Sequence, residues 1–191
     1  MDVLSFNFFW MLYNLYLAVL PVIFSKFIFK MPNKFFTAIV GVLWFLYLPN
    51  TIYVFTDLQH LVDQWPNVSL PVQAVLVVQY GLLELIGLIC FLVAYYPIEI
   101  ILRKFKVSEL NITRIIIAFN FVIGFAMVLG RIERVNSWDA VLNPVFVIIS
   151  TLHMLESYQL IILSILLGLF TNFFYFLFRD KAKMLYQKWV R

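Results

Sequence analysis

Charged side chains are scarce in this chain: Asp, Glu, Lys and Arg make up 13% of its 191 residues, while 64% are hydrophobic. Soluble domains are about a quarter charged and nearer half apolar. A water-soluble protein of this length cannot bury so much apolar surface, so a soluble fold is excluded and lipid must cover the rest. Cysteine is almost missing. The one copy, Cys90, sits inside an apolar run, which rules out an intramolecular disulfide and the paired-cysteine zinc and redox motifs. It reads as a buried, inert thiol. The Walker loop, the G-x-S-x-G elbow, the H-E-x-x-H helix and the dinucleotide fingerprint are all lacking. There is no internal repeat and no low-complexity tract. The first residues, Met-Asp-Val-Leu-Ser, carry no basic n-region and no A-x-A-like site follows, so the first apolar run is expected to stay in the mature chain.

Aromatic residues are abundant: 21 Phe, 10 Tyr and 5 Trp. Tyr and Trp favour both membrane interfaces. Trp65, Trp138 and Trp189 are expected there, and the Phe-rich ends of the first and last spans are expected to face lipid. A helix crosses the hydrocarbon core with about 20 apolar residues. Five stretches qualify or nearly do, at roughly 6–24, 35–48, 72–96, 112–129 and 160–178. The second, Phe35 to Leu48, gives only about 21 Å of helix at 1.5 Å per residue. Pro49-Asn50 then reads as a kink or break, and Asn50 is expected to cap a half-helix from Thr51 to Val62 at or above the outer interface. Val141 to Leu155 is tempting as a sixth crossing but carries Asn143, Pro144 and His153. It reads better as an interfacial or re-entrant helix. The expected fold is therefore all-α and polytopic: one membrane domain over residues 1–191 with about five transmembrane helices.

The net charge of +4 is less informative than its distribution. Lys26, Lys30 and Lys34 fill the first connection, and Arg103, Lys104 and Lys106 the third. The tail holds Arg179, Lys181, Lys183, Lys188 and Arg191. The second connection has Asp57 and Asp63 with no Lys or Arg, and the fourth sets Arg131 and Arg134 against Glu133, Asp139 and Glu156. Lys and Arg near span ends stay on the cytoplasmic side. The alternation puts the N-terminus outside and the C-terminus in the cytoplasm of a cell membrane. No basic stripe faces an aqueous groove, so nucleic acid is not an expected partner. The short basic tail is expected to lie on the anionic inner leaflet.

Most of the unusual polar residues fall in the two outward connections. On a helix, Tyr53, Asp57 and His60 share a face, at spacings of four and three, with Thr56 one turn from His60. A carboxylate, an imidazole and a phenol together suit general acid–base work or supply two metal ligands. They equally suit a solvated stripe in which Asp57 orients His60. No third ligand is nearby, and neither a metal nor a cofactor is expected. Arg131 and Arg134, three apart, form a two-pronged basic face that matches phosphate or carboxylate oxygens. The alternative is an ion pair to Glu133, Asp57 or Asp139. Asn136 or Ser137 with Asp139 also reads as a helix cap with an acid in the first turn. Within the third span Glu84 is costly, about 2.5–3.5 kcal/mol or more for a charge at a helix centre. It must be neutral, paired or facing a wet cavity, and Asn14 and Asn120 are candidate partners.

The run Leu-Pro-Asn-Thr-x-Tyr-x-x-Thr-Asp-x-x-His-Leu, residues 48–61, resembles the first signature of the membrane family called domain of unknown function 1361. Leu-Gly-Arg-x-x-Arg-x-Asn-Ser-Trp-Asp, residues 129–139, resembles its second, and Asn-Leu-x-Leu-Ala-x-x-Pro at 14–21 also fits. The resemblance covers roughly residues 10–175. It implies a bacterial multi-pass membrane protein and no particular activity. It marks Pro49, Asn50, Tyr53, Thr56, Asp57, His60, Arg131, Arg134, Asn136, Ser137, Trp138 and Asp139 as candidate positions. Glu84 stands where the family pattern leads one to expect a small or apolar residue.

Three function classes follow. One is a binding or accessory protein with an outward polar pocket, Asp57 and His60 on one wall and Arg131, Arg134, Asn136 and Asp139 on the other. Its partners would be the lipid bilayer, an anionic lipid headgroup or lipid-linked group, or a protein in a membrane complex. The second is an enzyme on a lipid or lipid-linked substrate, with His60 as base beside Asp57 and the Arg pair as anion clamp. The third is a small transporter or channel centred on Glu84.

Overall fold

Apolar chain in lipid finds no water for its backbone, so it must close its own hydrogen bonds, as helix or closed barrel. The computed structural model describes residues 3–189, and among these there are helices and no strand. Five segments are long and apolar enough to cross a membrane. The first is α1 (Val3–Ile28). The second, Lys34–Asn67, strings together α2 (Lys34–Tyr47), α3 (Pro49–Tyr53) and α4 (Leu58–Gln64) with tighter 3-10 turns at Val54–Asp57 and Trp65–Asn67. The third joins α5 (Leu70–Tyr95) to α6 (Pro97–Lys104). The fourth is α7 (Glu109–Arg131), and after α8 (Asp139–Leu142) and α9 (Pro144–Glu156) the fifth is α10 (Tyr158–Trp189). The side chain of Trp189, with Val190 and Arg191, lies outside the described residues, and so does what was expected of them at the interface.

Pro49, Pro71, Pro97 and Pro144 each sit in the first turn of a helix, where the missing N–H would have had no intrahelical partner. The helix is interrupted at the expected place, between α2, which ends at Tyr47, and α3. Leu48 keeps helical dihedrals, and α3 starts at Pro49 itself. The side-chain contacts Asn7–Gln64, Asn14–Asp57 and Phe24–Tyr47 keep one antiparallel register along α1. The second segment therefore continues past Pro49 beside α1. Asn50 is not a cap; its amide donates to the Tyr47 carbonyl and to Ser137 Oγ. Nor does the half-helix face water as a whole: Thr51, Ile52, Val54 and Asp57 are buried.

The tightest packing is where side chains are smallest. A Cβ on Gly124 of α7 would stand 2.4 Å from the Gly168 backbone nitrogen and 2.6 Å from the Ser164 carbonyl. Only glycine lets α7 and α10 approach this closely, the usual device for joining helices in lipid, where hydrophobic free energy gives no help. Beside this seam Asn120 donates to Asn172 at 2.9 Å, and Tyr95 and Tyr175 pack at 4.3 Å between ring centres. Trp44 ties α2 to α5 through the Ala94 carbonyl at 2.8 Å.

α9 has 13 residues, about 20 Å of helix, too short to span the core. It turns Ser150 and Met154 inward and leaves Val145, Ile148, Ile149, Leu152 and Leu155 exposed. The alternation of the five segments gathers the start of α1, α4, α8, α9 and the start of α10 at one end, here the upper. Among the described residues Arg131 and Arg134 are the only Lys or Arg there. The 28–34 turn, α6 and the end of α10 form the lower end. At that end Glu99, buried, accepts from Tyr175 Oη at 2.6 Å, from Arg179 at 2.6 and 3.0 Å, and from Arg103 at 3.1 Å. Arg103 also pairs with Glu109.

Candidate functional site

The upper end is held by a polar ladder in which the two signature runs touch. The tight 3-10 turn at Val54–Asp57 directs the Asp57 carboxylate into the interior, 2% exposed for the whole residue. There it accepts from Asn14 Nδ2 at 2.8 Å and from Arg131 Nη1 at 3.0 Å. Arg131, in the last turn of α7, reaches His60 Nε2 at 3.3 Å and Gln59 at 3.5 Å with its other nitrogen. A guanidinium only donates, so at this contact His60 Nε2 is the acceptor. One helical turn further, Gln64 and Asn7 exchange amide hydrogen bonds at 2.8 and 3.0 Å, and Trp10 donates to Asn7 while its ring meets that of His60.

A second contact lies on the other side of Tyr53, where Asn50 donates to Ser137 Oγ at 2.8 Å. The 131–139 loop makes this possible. Arg134 takes a left-handed φ of 55°, an uncommon conformation for a residue with a side chain, and reverses the chain after α7. Asp139, in the first turn of α8, then accepts from the Asn136 backbone N–H at 2.7 Å, a local closure of the kind that favours acids at helix starts.

Two concavities flank the ladder. One, of about 300 Å³, is bordered by Trp10, Asn14, Asp57, His60, Gln64 and Arg131. The other, of about 250 Å³, is bordered by Asn14, Asn50, Asn136, Ser137 and Trp138 over an apolar floor. Tyr53 and Asn14 border both.

The structure thus brings Asn50, Tyr53, Asp57, His60, Arg131, Asn136, Ser137 and Trp138 around one region. It does not bring in the others. Thr56 spends its hydroxyl on the Tyr53 carbonyl one turn back, Asp139 turns to the loop backbone, and Arg134 is exposed, with no ion-pair partner among the described residues. Asp57 is bonded to Arg131 and Asn14 rather than to His60, so it does not orient the imidazole. Glu133 pairs with His153 instead of either Arg, at 2.8 Å. Glu84 has a buried Oε1 without a hydrogen-bond partner, as do Gln79 Oε1 and Tyr80 Oη. Neither expected partner reaches it, since Asn14 is turned to Asp57 and Asn120 to Asn172. Among the described residues no three His, Cys, Asp or Glu gather as a metal ligand set.

Asn7, Trp10 and Gln64 escaped the sequence reading. The available signal was spacing: Asn7, Met11, Asn14, Ala18 and Ser25 recur at helical intervals in an otherwise lipid-facing run. An amide in a spanning helix turns toward other helices because hydrocarbon offers it no partner.

The fold and this ladder define an all-α multi-pass membrane protein with a polar end built from two distant segments. The chain belongs to the family described as Protein of unknown function (DUF1361), whose model matches residues 13–174 and so contains both signature runs. No curated protein and no solved structure matches it.

Proposed function

We propose that this is a bacterial cell-membrane protein with a binding or accessory role, whose upper, outward-facing pocket holds the polar head of an anionic lipid or lipid-linked molecule. The supporting observation is the meeting of the two signature runs through Arg131–Asp57 and Asn50–Ser137. Binding is favoured over catalysis by the state of the candidate acid–base pair. Asp57 is held by Arg131 and Asn14, and His60 Nε2 faces a guanidinium, so the two are turned to Arg131 rather than paired with each other as an acid–base couple. Arg134, exposed in the 131–139 loop beside the pocket-lining Val135 and Asn136, is the cation that this loop offers to an anionic head.

Native mass spectrometry from mild detergent tests this reading with phosphatidylglycerol and phosphatidylcholine as probes. The wild type is expected to retain the anionic lipid preferentially, and Arg134→Gln to lose that preference while still folding, because only the backbone carbonyl of Arg134, which the substitution keeps, bonds another side chain among the described residues. Equal retention of both lipids by the wild type would defeat the reading. The same spectra show whether a second protein co-purifies, as an accessory role requires.

The orientation rests on the basic residues of the lower end, which the positive-inside rule assigns to the cytoplasm. In intact cells a maleimide is expected to label Asn136→Cys, and to label Lys106→Cys only after permeabilisation. Native Cys90 is buried and gives little background. The reverse labelling pattern would turn the pocket to the cytoplasm.

A further inference from the structure

We propose that the ligand of this pocket is a membrane phospholipid that seats one acyl chain in a groove between α2 and α7. This deepens the reading above and rests on it. The pocket at Asn50 and Ser137 does not end at its apolar floor. A second cavity of about 90 Å³ adjoins it and shares Leu46, Pro49 and Ala126 with it. The remaining border of that cavity is wholly apolar: Phe45 on α2, and Phe119, Val122 and Ile123 on α7. From Gly130 at the mouth to Phe119 at the bottom, α7 advances about 16 Å at 1.5 Å per residue. The Phe45 and Phe119 rings, 5.6 Å apart, close the lower end, and the half-exposed Val122 leaves the side open toward lipid.

The groove is polar at the membrane surface and apolar at hydrocarbon depth, the same gradient that orders a phospholipid in the leaflet. A soluble anion would use only its mouth. A hydrocarbon chain that leaves the bilayer for a protein groove gains almost no hydrophobic free energy, because lipid tails are equally apolar. Retention must therefore come from the head, held by the polar Asn50, Asn136 and Ser137 lining and drawn by the charge of Arg134 in the adjoining loop, with the groove selecting by shape. The open face formed by Leu12, Tyr16 and Ile86 between α1 and α5 is also apolar but has almost no polar lining. It serves as an internal control for bulk lipid.

The test uses the full-length protein in nanodiscs that contain a phosphatidylglycerol with a diazirine within one acyl chain, with adducts mapped by peptide mass spectrometry. Adducts are expected to concentrate on Phe45, Leu46, Val122 and Ala126. Ala126→Phe, or the milder Ala126→Leu, should lower them about tenfold relative to adducts on the α1–α5 face. Arg134→Gln should release them as well. A wild-type map spread evenly over all lipid-facing helices overturns the groove, and so does a groove signal indifferent to the Ala126 variants. Headgroup preference is read separately in the mass spectra, so the groove can fail while the pocket stands.

Discussion

Arg131→Met is expected to destabilise the folded protein by about 3–5 kcal/mol, the range for removing one partner of a buried ion pair, and to do so more than Asp57→Asn. The asymmetry comes from exposure. The Asp57 side chain is 3% exposed and that of Arg131 20%. Without Arg131, the carboxylate is stranded with Asn14 as its one remaining partner. Without the Asp57 charge, the guanidinium keeps His60, Gln59 and partial solvent access, and the loss should be nearer about 1–3 kcal/mol. The double variant Asp57→Leu with Arg131→Met should recover most of the stability, because an apolar pair often replaces a buried ion pair at little cost. Thermal unfolding in detergent, followed by Trp fluorescence, gives these values, and the single Asp57→Leu variant closes a double-mutant cycle with the double variant. A single Arg131→Met variant as stable as Asp57→Asn would mean that Asp57 is not held by this pair. The double variant also separates roles. If the pair only stabilises, anionic-lipid preference survives in it; if the pair orients the pocket, the protein folds and the preference is lost.

The fold was largely legible because its two strongest signals are independent. Apolar length located the five crossings, and the Lys and Arg clusters sorted the connections by end without reference to it. Legibility failed where meaning depends on a neighbour. Pro49 marks the interruption between α2 and α3, but only the fold shows that the path beside α1 continues through it. Asn50 reads as a cap, yet its partner is Ser137, 87 residues away. The two signature runs flagged segments that the fold brings together, and geometry alone divided them: Arg131 turns inward to Asp57, while Arg134, three residues on, takes a left-handed φ and stays exposed. Gln64 had no local reason to be noticed, since its amide partner is Asn7, 57 residues away.

Glu99 is the clearest case of a residue whose importance is not local, and it carries the second large prediction. In the sequence it is one acid ahead of a basic cluster that serves to assign topology. In the fold it is buried and joins α6 to α10 through Tyr175 and Arg179, with Arg103 of its own helix as a further donor. Its side chain is 2% exposed against 28% for Arg179, so the two partners are again unequal. Arg179→Met removes two of the hydrogen bonds to a carboxylate that cannot reach water, and should cost about 3–5 kcal/mol. Glu99→Gln should cost less, about 1–3 kcal/mol, because Arg103 and Arg179 are partly solvated and both retain Glu109, the latter at 3.9 Å. Neither change touches the upper end, and sites this far apart with no shared partners should behave additively. An Arg179→Met variant should therefore unfold earlier in detergent while keeping the wild-type lipid preference at the temperature where it is folded. Equal losses from the two substitutions would show that Glu99 is not desolvated at the α6–α10 contact, and a lost lipid preference would show that the two ends are coupled through α7 and α10.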